Sequence, residues 1–136
     1  KKCHAVQRII EQMDLDCTYD KLYQLKRFEI HNLGPTNIQK KPCYPSYIPK
    51  EIQYLNNLIH IQIYNTGITE IPIELCELTG LGSIDMEYNK IDKIPNEISK
   101  LVNLYNLDLQ NNKLKKMPNI CNLSNLKFLD LSSNEI

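Results

Sequence analysis

The fold is decided by a stretch that reads LIHIQIYNTGITEIPIELCELTG (58–80), LGSIDMEYNKIDKIPNEISKLVN (81–103), LYNLDLQNNKLKKMPNICNLSN (104–125) and LKFLDLSSNEI (126–136). These segments begin at leucines spaced 23, 23 and 22 residues apart. A fixed period of this length is typical of solenoids, in which each unit buries its apolar side against its neighbours. The apolar residues recur at the first position (Leu58, Leu81, Leu104, Leu126), the fourth (Ile61, Ile84, Leu107, Leu129), the sixth (Ile63, Met86, Leu109, Leu131) and the eleventh (Ile68, Ile91, Leu114, Ile136).

The ninth position of each segment is polar. A buried amide there can donate and accept, and so satisfy backbone groups left free where a strand ends and the chain turns. The sequence therefore predicts a stacked ladder, in which Thr66 departs from the pattern because a hydroxyl can do only part of this work. The predicted ladder comprises Thr66, Asn89, Asn112 and Asn134.

The second half of each segment also recurs, as a proline followed by two apolar residues that lie three positions apart. Ile71-Pro72, Ile94-Pro95 and Met117-Pro118 carry this pattern, and Ile48-Pro49 is an earlier copy. Proline fits the first turn of a short helix, where no amide donor is needed. Each repeat is therefore predicted to be a short strand, an anchored turn and a helical or extended return.

The strand half reads LxxLxLxxNxL, and on this motif the chain resembles leucine-rich-repeat proteins. The 23-residue period with I-P-x-E-I-x-x-L resembles the Ras group of these repeats, which includes scribble-like and erbin-like proteins. The resemblance implies an α/β solenoid with a curved parallel sheet on the concave side and short convex returns. It further implies a cytoplasmic, non-catalytic scaffold or adaptor that binds proteins.

Three regions are predicted along the chain. Residues 1–33 form an N-terminal helical cap and a degenerate first repeat, in which Phe28 and Ile30 stand at the fourth and sixth positions. Residues 34–47 are proline-rich and form an irregular loop, either functional or poorly ordered. Residues 48–136 are the repeats, truncated or uncapped at the C-terminus, where missing residues are favoured over coverage by another chain.

Composition argues against several classes of function. The 16 basic and 16 acidic residues give no net charge, which disfavours nonspecific nucleic-acid binding. We expect no sequence-specific nucleic-acid binding and no membrane span, since no apolar run approaches about 20 residues. No catalytic motif stands out, so we expect no enzyme, cofactor or metal site, and His31 and His60 are interpreted as surface residues. The five cysteines are expected to be reduced thiols, although Cys3 with Cys17 or Cys43 is a possible disulfide region.

The predicted concave face carries a column of Glu29, Gln62, Asp85, Asp108 and Asp130 beside several aromatic residues. Because like charges on adjacent strands repel, a protein partner with a basic surface would relieve the column. The alternatives are a merely solvated face, a structural subunit of a large assembly such as a ribonucleoprotein, or the targeting domain of a larger enzyme. The expected contact residues are His60, Gln62, Tyr64, Asp85, Glu87, Tyr88, Tyr105, Asp108, Gln110, Phe128 and Asp130.

Overall fold

In the part of the chain that the structure describes, short runs in which apolar and polar residues alternate form five strands. This alternation sends one set of side chains into the core and the other set to the opposite face. The computed structural model describes residues 24–31 and 46–136. All neighbouring strands are parallel and lie in chain order, as expected for a solenoid. The strands are β1 (Arg27–His31), β2 (His60–Tyr64), β3 (Ser83–Asp85), β4 (Asn106–Asp108) and β5 (Phe128–Asp130).

The strand register confirms the predicted repeat alignment. Phe28 pairs with Ile61 and Ile30 with Ile63, so the degenerate first repeat is a true member of the sheet. The fourth-position residues continue across the sheet through Ile84 to Leu107 and Leu129. The polar column is in register as well, since each member pairs with the next: Glu29, Gln62, Asp85, Asp108 and Asp130.

One continuous core lies between the sheet and the convex returns. Ile84, Met86, Leu104 and Leu107 are fully shielded from solvent. A fully buried aliphatic side chain contributes about 1.5–3 kcal/mol relative to exposure. In the last repeat Leu129 is 37 % exposed, because β5 is the outermost strand of the sheet.

The convex returns contain short 3₁₀ helices at Lys50–Tyr54, Ile73–Glu77 and Asn96–Lys100. The prediction that proline lies in the first turn of the helix is wrong by one position. Pro49, Pro72 and Pro95 lie just before each helix in an extended conformation. Their carbonyls accept the first turn's hydrogen bond, for instance from the Leu75 amide to Pro72 at 3.0 Å. Proline thus sets the entry to the helix, where its missing N–H costs nothing.

The predicted asparagine ladder forms. The Asn112 amide nitrogen donates to the carbonyl of Met86 in the preceding repeat at 2.9 Å and to its own repeat's Leu109 at 3.1 Å. Its Oδ1 accepts from the buried Ile91 amide at 2.9 Å. Thr66 bonds forward instead, because both its amide and its hydroxyl donate to Asn89 Oδ1.

In the four repeats that begin at residues 58, 81, 104 and 126, the eighth position adopts a left-handed backbone conformation, with φ between 53° and 55°. This conformation is strained for most residues and is tolerated best by glycine and asparagine. The residues that occupy it are Asn65, Tyr88, Asn111 and Ser133. A bulky tyrosine is therefore the outlier of this set.

Several predictions fall outside the described residues. These are the N-terminal helices, nearly all of the proline-rich loop, and the possible disulfide of Cys3 with Cys17 or Cys43. Among the cysteines of residues 46–136, Cys76 is buried, Cys121 is exposed, and both are free thiols. Across residues 24–31 and 46–136, no helix has the length and apolarity that crossing a membrane requires.

Candidate functional site: the concave face of the sheet

The acidic column is held on the concave face by the pairing of its own strands. The Gln62 amide donates to Asp85 Oδ2 at 2.9 Å, so these two members also join through their side chains. Asp108 Oδ1 accepts from the Gln110 amide at 3.0 Å, and Asp130 Oδ1 accepts from the Ser132 amide at 2.8 Å. Each of these two aspartates therefore accepts a backbone hydrogen bond from the residue two positions later, just past the end of its own strand.

Three carboxylates of this face come together. Asp85, Glu87 and Asp108 each place a carboxylate oxygen within 4.8 Å of the others. All three are half-buried. Carboxylates at this separation repel because they carry like charge, and partial burial reduces the screening by water. Among the described residues, these three carboxylates could share a cation, and the sequence did not predict that grouping.

Burial and mutual repulsion both act on the protonation of this group. Burial raises the pKa of Asp85, and the charge of Asp108 adds to the shift. Burial likewise raises the pKa of Glu87, followed by the charges of Asp108, Asp85 and Asp130. The pKa of Asp108 is raised by burial and by Asp130. The three groups therefore hold protons more strongly than isolated carboxyls do.

The β1 end of the column is electrically balanced. Arg27 donates to Glu29 within the same strand, and His31 lies 3.7 Å from the other Glu29 oxygen. The bond from Arg27 is the main cause that lowers the pKa of Glu29. The unbalanced negative charge is therefore concentrated on β3, β4 and β5.

A row of aromatic rings runs beside the column. His31 stacks on Tyr64 with ring centroids 6.2 Å apart, and Tyr64 contacts Tyr88 at 5.2 Å. Tyr88 is 47 % exposed, and its backbone is in the left-handed conformation. Exposed aromatic rings beside charge are typical of interaction surfaces.

A second aromatic contact lies at the start of the strands. Tyr105 precedes β4 and packs edge-on against His60, with ring centroids 6.1 Å apart. The Tyr105 hydroxyl oxygen lies 3.4 Å from His60 Nδ1. The Tyr105 ring covers Gly82, where an added Cβ would lie 2.9 Å from that ring. Phe128, the residue facing outward at the start of β5, is 63 % exposed.

The structure thus brings the predicted contact residues into two groups. Tyr64, Asp85, Glu87, Tyr88 and Asp108 form the central group, which we call the acid–tyrosine patch. Tyr105 and Phe128 lie toward the strand starts, with His60. Sequence reasoning missed Gly82, although glycine at the second repeat position, where Ile59 and Tyr105 also stand, was a usable signal. It also left His31 out of the contact set.

A second asparagine ladder, in the turns that lead into β4 and β5, was also missed. The Asn103 amide nitrogen donates to the Thr79 carbonyl at 2.8 Å, and Asn125 donates to the Val102 carbonyl at 2.8 Å. Both asparagines directly precede the leucine that opens the next repeat. That recurrence could have revealed the ladder.

Comparison with known proteins links the chain to solved solenoids. No protein-family model matches it, and no curated protein matches it. A leucine-rich-repeat protein of Leptospira interrogans is 26 % identical, with a TM-score of 0.68 over 96 % of this chain and 40 % of that one. The BIR3–SERK2 complex of Arabidopsis thaliana contains a chain that is 28 % identical, with a TM-score of 0.60 over 65 % of this chain and 50 % of that one.

A third solved structure shares the fold alone at 22 % identity. It is the leucine-rich-repeat ectodomain of the receptor kinase SOBIR1 from Arabidopsis thaliana, with a TM-score of 0.70 over 96 % of this chain and 78 % of that one. The chain spans half or less of the length of the first two structures. With its in-register repeats, its five-stranded parallel sheet and these likenesses, the chain is a leucine-rich-repeat protein.

Proposed function

We propose that this protein is a non-catalytic scaffold or adaptor that binds a protein partner with a basic surface on its concave face. Leucine-rich-repeat domains of this fold are generally protein–protein interaction modules. The observation that carries the proposal is the unbalanced acidic charge on β3 to β5. It lies on an open sheet face, beside exposed tyrosines.

Charge complementarity supports the basic character of the partner. Within the described residues, the ion pairs join Glu29 to Arg27 and His31, and Glu77 to Lys100. None of these reaches Asp85 or Asp108, whose repulsion is therefore left for another molecule to relieve. A complementary charged surface raises association rate and specificity more than it raises affinity.

The proposal is tested by covalent capture on two faces of the same molecule. A photo-crosslinking amino acid replaces Gln110 on the concave face in one variant and Lys113, which lies past the turn, in another. Both are used in native lysate, and captured proteins are identified by mass spectrometry. We expect a protein with a basic surface from position 110 and its absence from position 113.

Charge-changing variants then test the chemistry of the contact. Asp85→Asn/Asp108→Asn removes the charge at nearly constant shape, and Asp92→Asn/Glu135→Asn is a matched control because both residues are exposed away from the acid–tyrosine patch. Capture should fall at least about tenfold for the first pair and stay unchanged for the second. Equal capture by both pairs would overturn the basic-partner proposal.

The narrower parts of the proposal rest on the sequence. We propose a cytoplasmic location, because the cysteines do not match the cysteine-rich flanking caps usual in extracellular relatives. Microscopy of the tagged native protein tests this, and secretion into the medium would contradict it. A structural subunit of a large assembly and a targeting domain of a larger enzyme stay as alternatives, which native mass and sedimentation of the endogenous protein distinguish.

A further inference from the structure

One buried oxygen of the acid–tyrosine patch lacks a donor. Asp85 Oδ1 is shielded from solvent and receives no hydrogen bond of normal geometry among the described residues, whereas Oδ2 accepts from Gln62. The Glu87 amide favours the charged carboxylate but does not offset the burial that raises the pKa of Asp85. A buried acceptor that gains no hydrogen bond is destabilising. An incoming donor would therefore gain more at Asp85 than at a solvated carboxylate.

The same oxygen lies among further acceptors of like charge. Asp85, Glu87 and Asp108 have carboxylate oxygens within 4.8 Å of one another. A ligand that satisfies all three must present several donors on one cation. The guanidinium of arginine offers five N–H donors in a fixed planar fork, whereas the lysine ammonium is a compact, strongly hydrated point charge.

The tyrosine pair beside the carboxylates suits a planar cation. Tyr64 and Glu87 occupy the same repeat position on neighbouring units, and Tyr88 directly follows Glu87. The Tyr64 and Tyr88 rings contact each other at 5.2 Å, and about half of the Tyr88 surface faces solvent. Guanidinium groups stack on exposed aromatic faces, and this contact adds to the charge attraction.

We propose that the open concave sheet docks an arginine of the partner polypeptide in the acid–tyrosine patch, where Asp85, Glu87 and Asp108 accept its N–H donors and Tyr88 packs against its guanidinium plane. This inference deepens the proposed function and rests on it. The negative charge of the patch favours a cationic segment of the partner. The three carboxylates beside the Tyr88 ring favour arginine over lysine, because a guanidinium offers more donors and a flat face.

The position of Tyr88 provides a variant that separates binding from folding. Tyr88 adopts a left-handed backbone conformation, and two other repeats have asparagine at the same position, Asn65 and Asn111. Tyr88→Asn therefore removes the ring while placing a better-suited residue in the turn. We expect this variant to unfold at the same temperature as the wild type or a higher one, so a loss of binding in it reports the ring.

The experiment uses N-acetyl-arginine amide as the probe and the neutral isostere N-acetyl-citrulline amide as its control. Each is titrated into the 136-residue chain at low ionic strength, and backbone amide signals are followed by NMR. Arginine amide should shift the signals of residues 85–88 and 108, and citrulline amide should leave them unchanged. Asp85→Asn should weaken binding at least about tenfold, Tyr88→Asn about threefold to tenfold, and the control Asp92→Asn less than about twofold.

Four results would overturn the inference. These are no shift with arginine amide, an equal shift with citrulline amide, equal binding of N-acetyl-lysine amide that is insensitive to Tyr88→Asn, and displacement of arginine amide by millimolar calcium at the same signals. The last result would assign the carboxylates to a metal ion.

Competition distinguishes this inference from the proposed function. If the crosslinked partner is retained by Tyr88→Asn and is not displaced by arginine amide, the concave-face function stands and the arginine contact is wrong. If arginine amide binds as expected but position 110 captures no protein, the arginine contact stands and the protein-binding function fails.

Discussion

Replacing Asn112 by alanine tests whether the ladder stabilises this solenoid as the structure indicates. Asn112 is a central member, is 8 % exposed, and joins two repeats through one amide group. Its Oδ1 accepts from Ile91, and its nitrogen donates to the carbonyls of Met86, Leu109 and Gln110. The alanine variant removes both the acceptor oxygen and the donor nitrogen of the Asn112 side chain, and it adds no strain.

The size of the loss follows from which groups keep a partner. The three carbonyls each retain a second donor, so none of them is stranded. The buried Ile91 amide loses its acceptor, which costs about 1–3 kcal/mol. With the lost hydrogen bonds themselves, we expect the free energy of unfolding to fall by about 2–4 kcal/mol. The second donors come from Asn89, Asn134 and Tyr88.

Urea denaturation followed by circular dichroism measures this loss, and Asn134→Ala is the matched control. Asn134 makes the same type of bond to the Leu114 amide at 2.9 Å, but it is half-buried on the outermost repeat, where water reaches the freed groups. Its loss should cost about 1 kcal/mol. If Asn112→Ala costs no more than Asn134→Ala, the ladder reasoning is refuted.

Three further predictions use other parts of the molecule. Gly82→Ala should displace the Tyr105 ring, because the new Cβ would lie 2.9 Å from it, whereas Gly80→Ala meets nothing within 4 Å; unchanged Tyr105 ring signals in both variants would contradict the packing. Asp85→Asn should raise the free energy of unfolding on the order of 0.5 kcal/mol at pH 7. The pKa of Asp85 is raised in the folded chain, so the wild type loses stability as the pH rises from the usual aspartate range through that higher pKa. The stability gained by Asp85→Asn should therefore vanish in acid, where Asp85 is protonated, and urea denaturation in acid and at pH 7 checks this. Burial raises the pKa of Cys76 to about 12, so iodoacetamide at pH 8 should modify this thiol in urea but spare it in the native chain, as peptide mass spectrometry would show.

The sheet could be predicted because each repeat carries the same pattern of apolar positions. A single LxxLxL run is short and ambiguous, but four in phase determine strand direction, spacing and register together. Even the degenerate run with Phe28 and Ile30 joined the sheet as predicted, since alternation alone decides which side chains face inward. The column from Glu29 to Asp130 followed from that register.

The site could be predicted only in part, because its key contacts depend on turns rather than strands. The sequence placed Asp85 and Asp108 on one face. It did not indicate that Glu87, beyond the end of β3, comes within 4.8 Å of both. The packing of Tyr105 over Gly82 depends on the missing Cβ of the glycine, which the sequence showed only as an unusual residue at the second repeat position. The repeat period predicts which face of the sheet a residue occupies. Which side chains on that face come into contact also depends on the backbone path of the turn after each strand.

Two departures from the repeat's own rules fall in one place. The ladder, the buried leucines and the entry prolines recur in unit after unit, and they are the parts that stabilise the stack. Tyr88 is a large ring in a left-handed position, and Asp85 has a buried oxygen without a donor beside two other carboxylates. Each is locally unfavourable, and both lie within the acid–tyrosine patch on an open face. Departures of this kind from local rules are expected at functional sites. The patch is therefore where mutation should separate binding from stability.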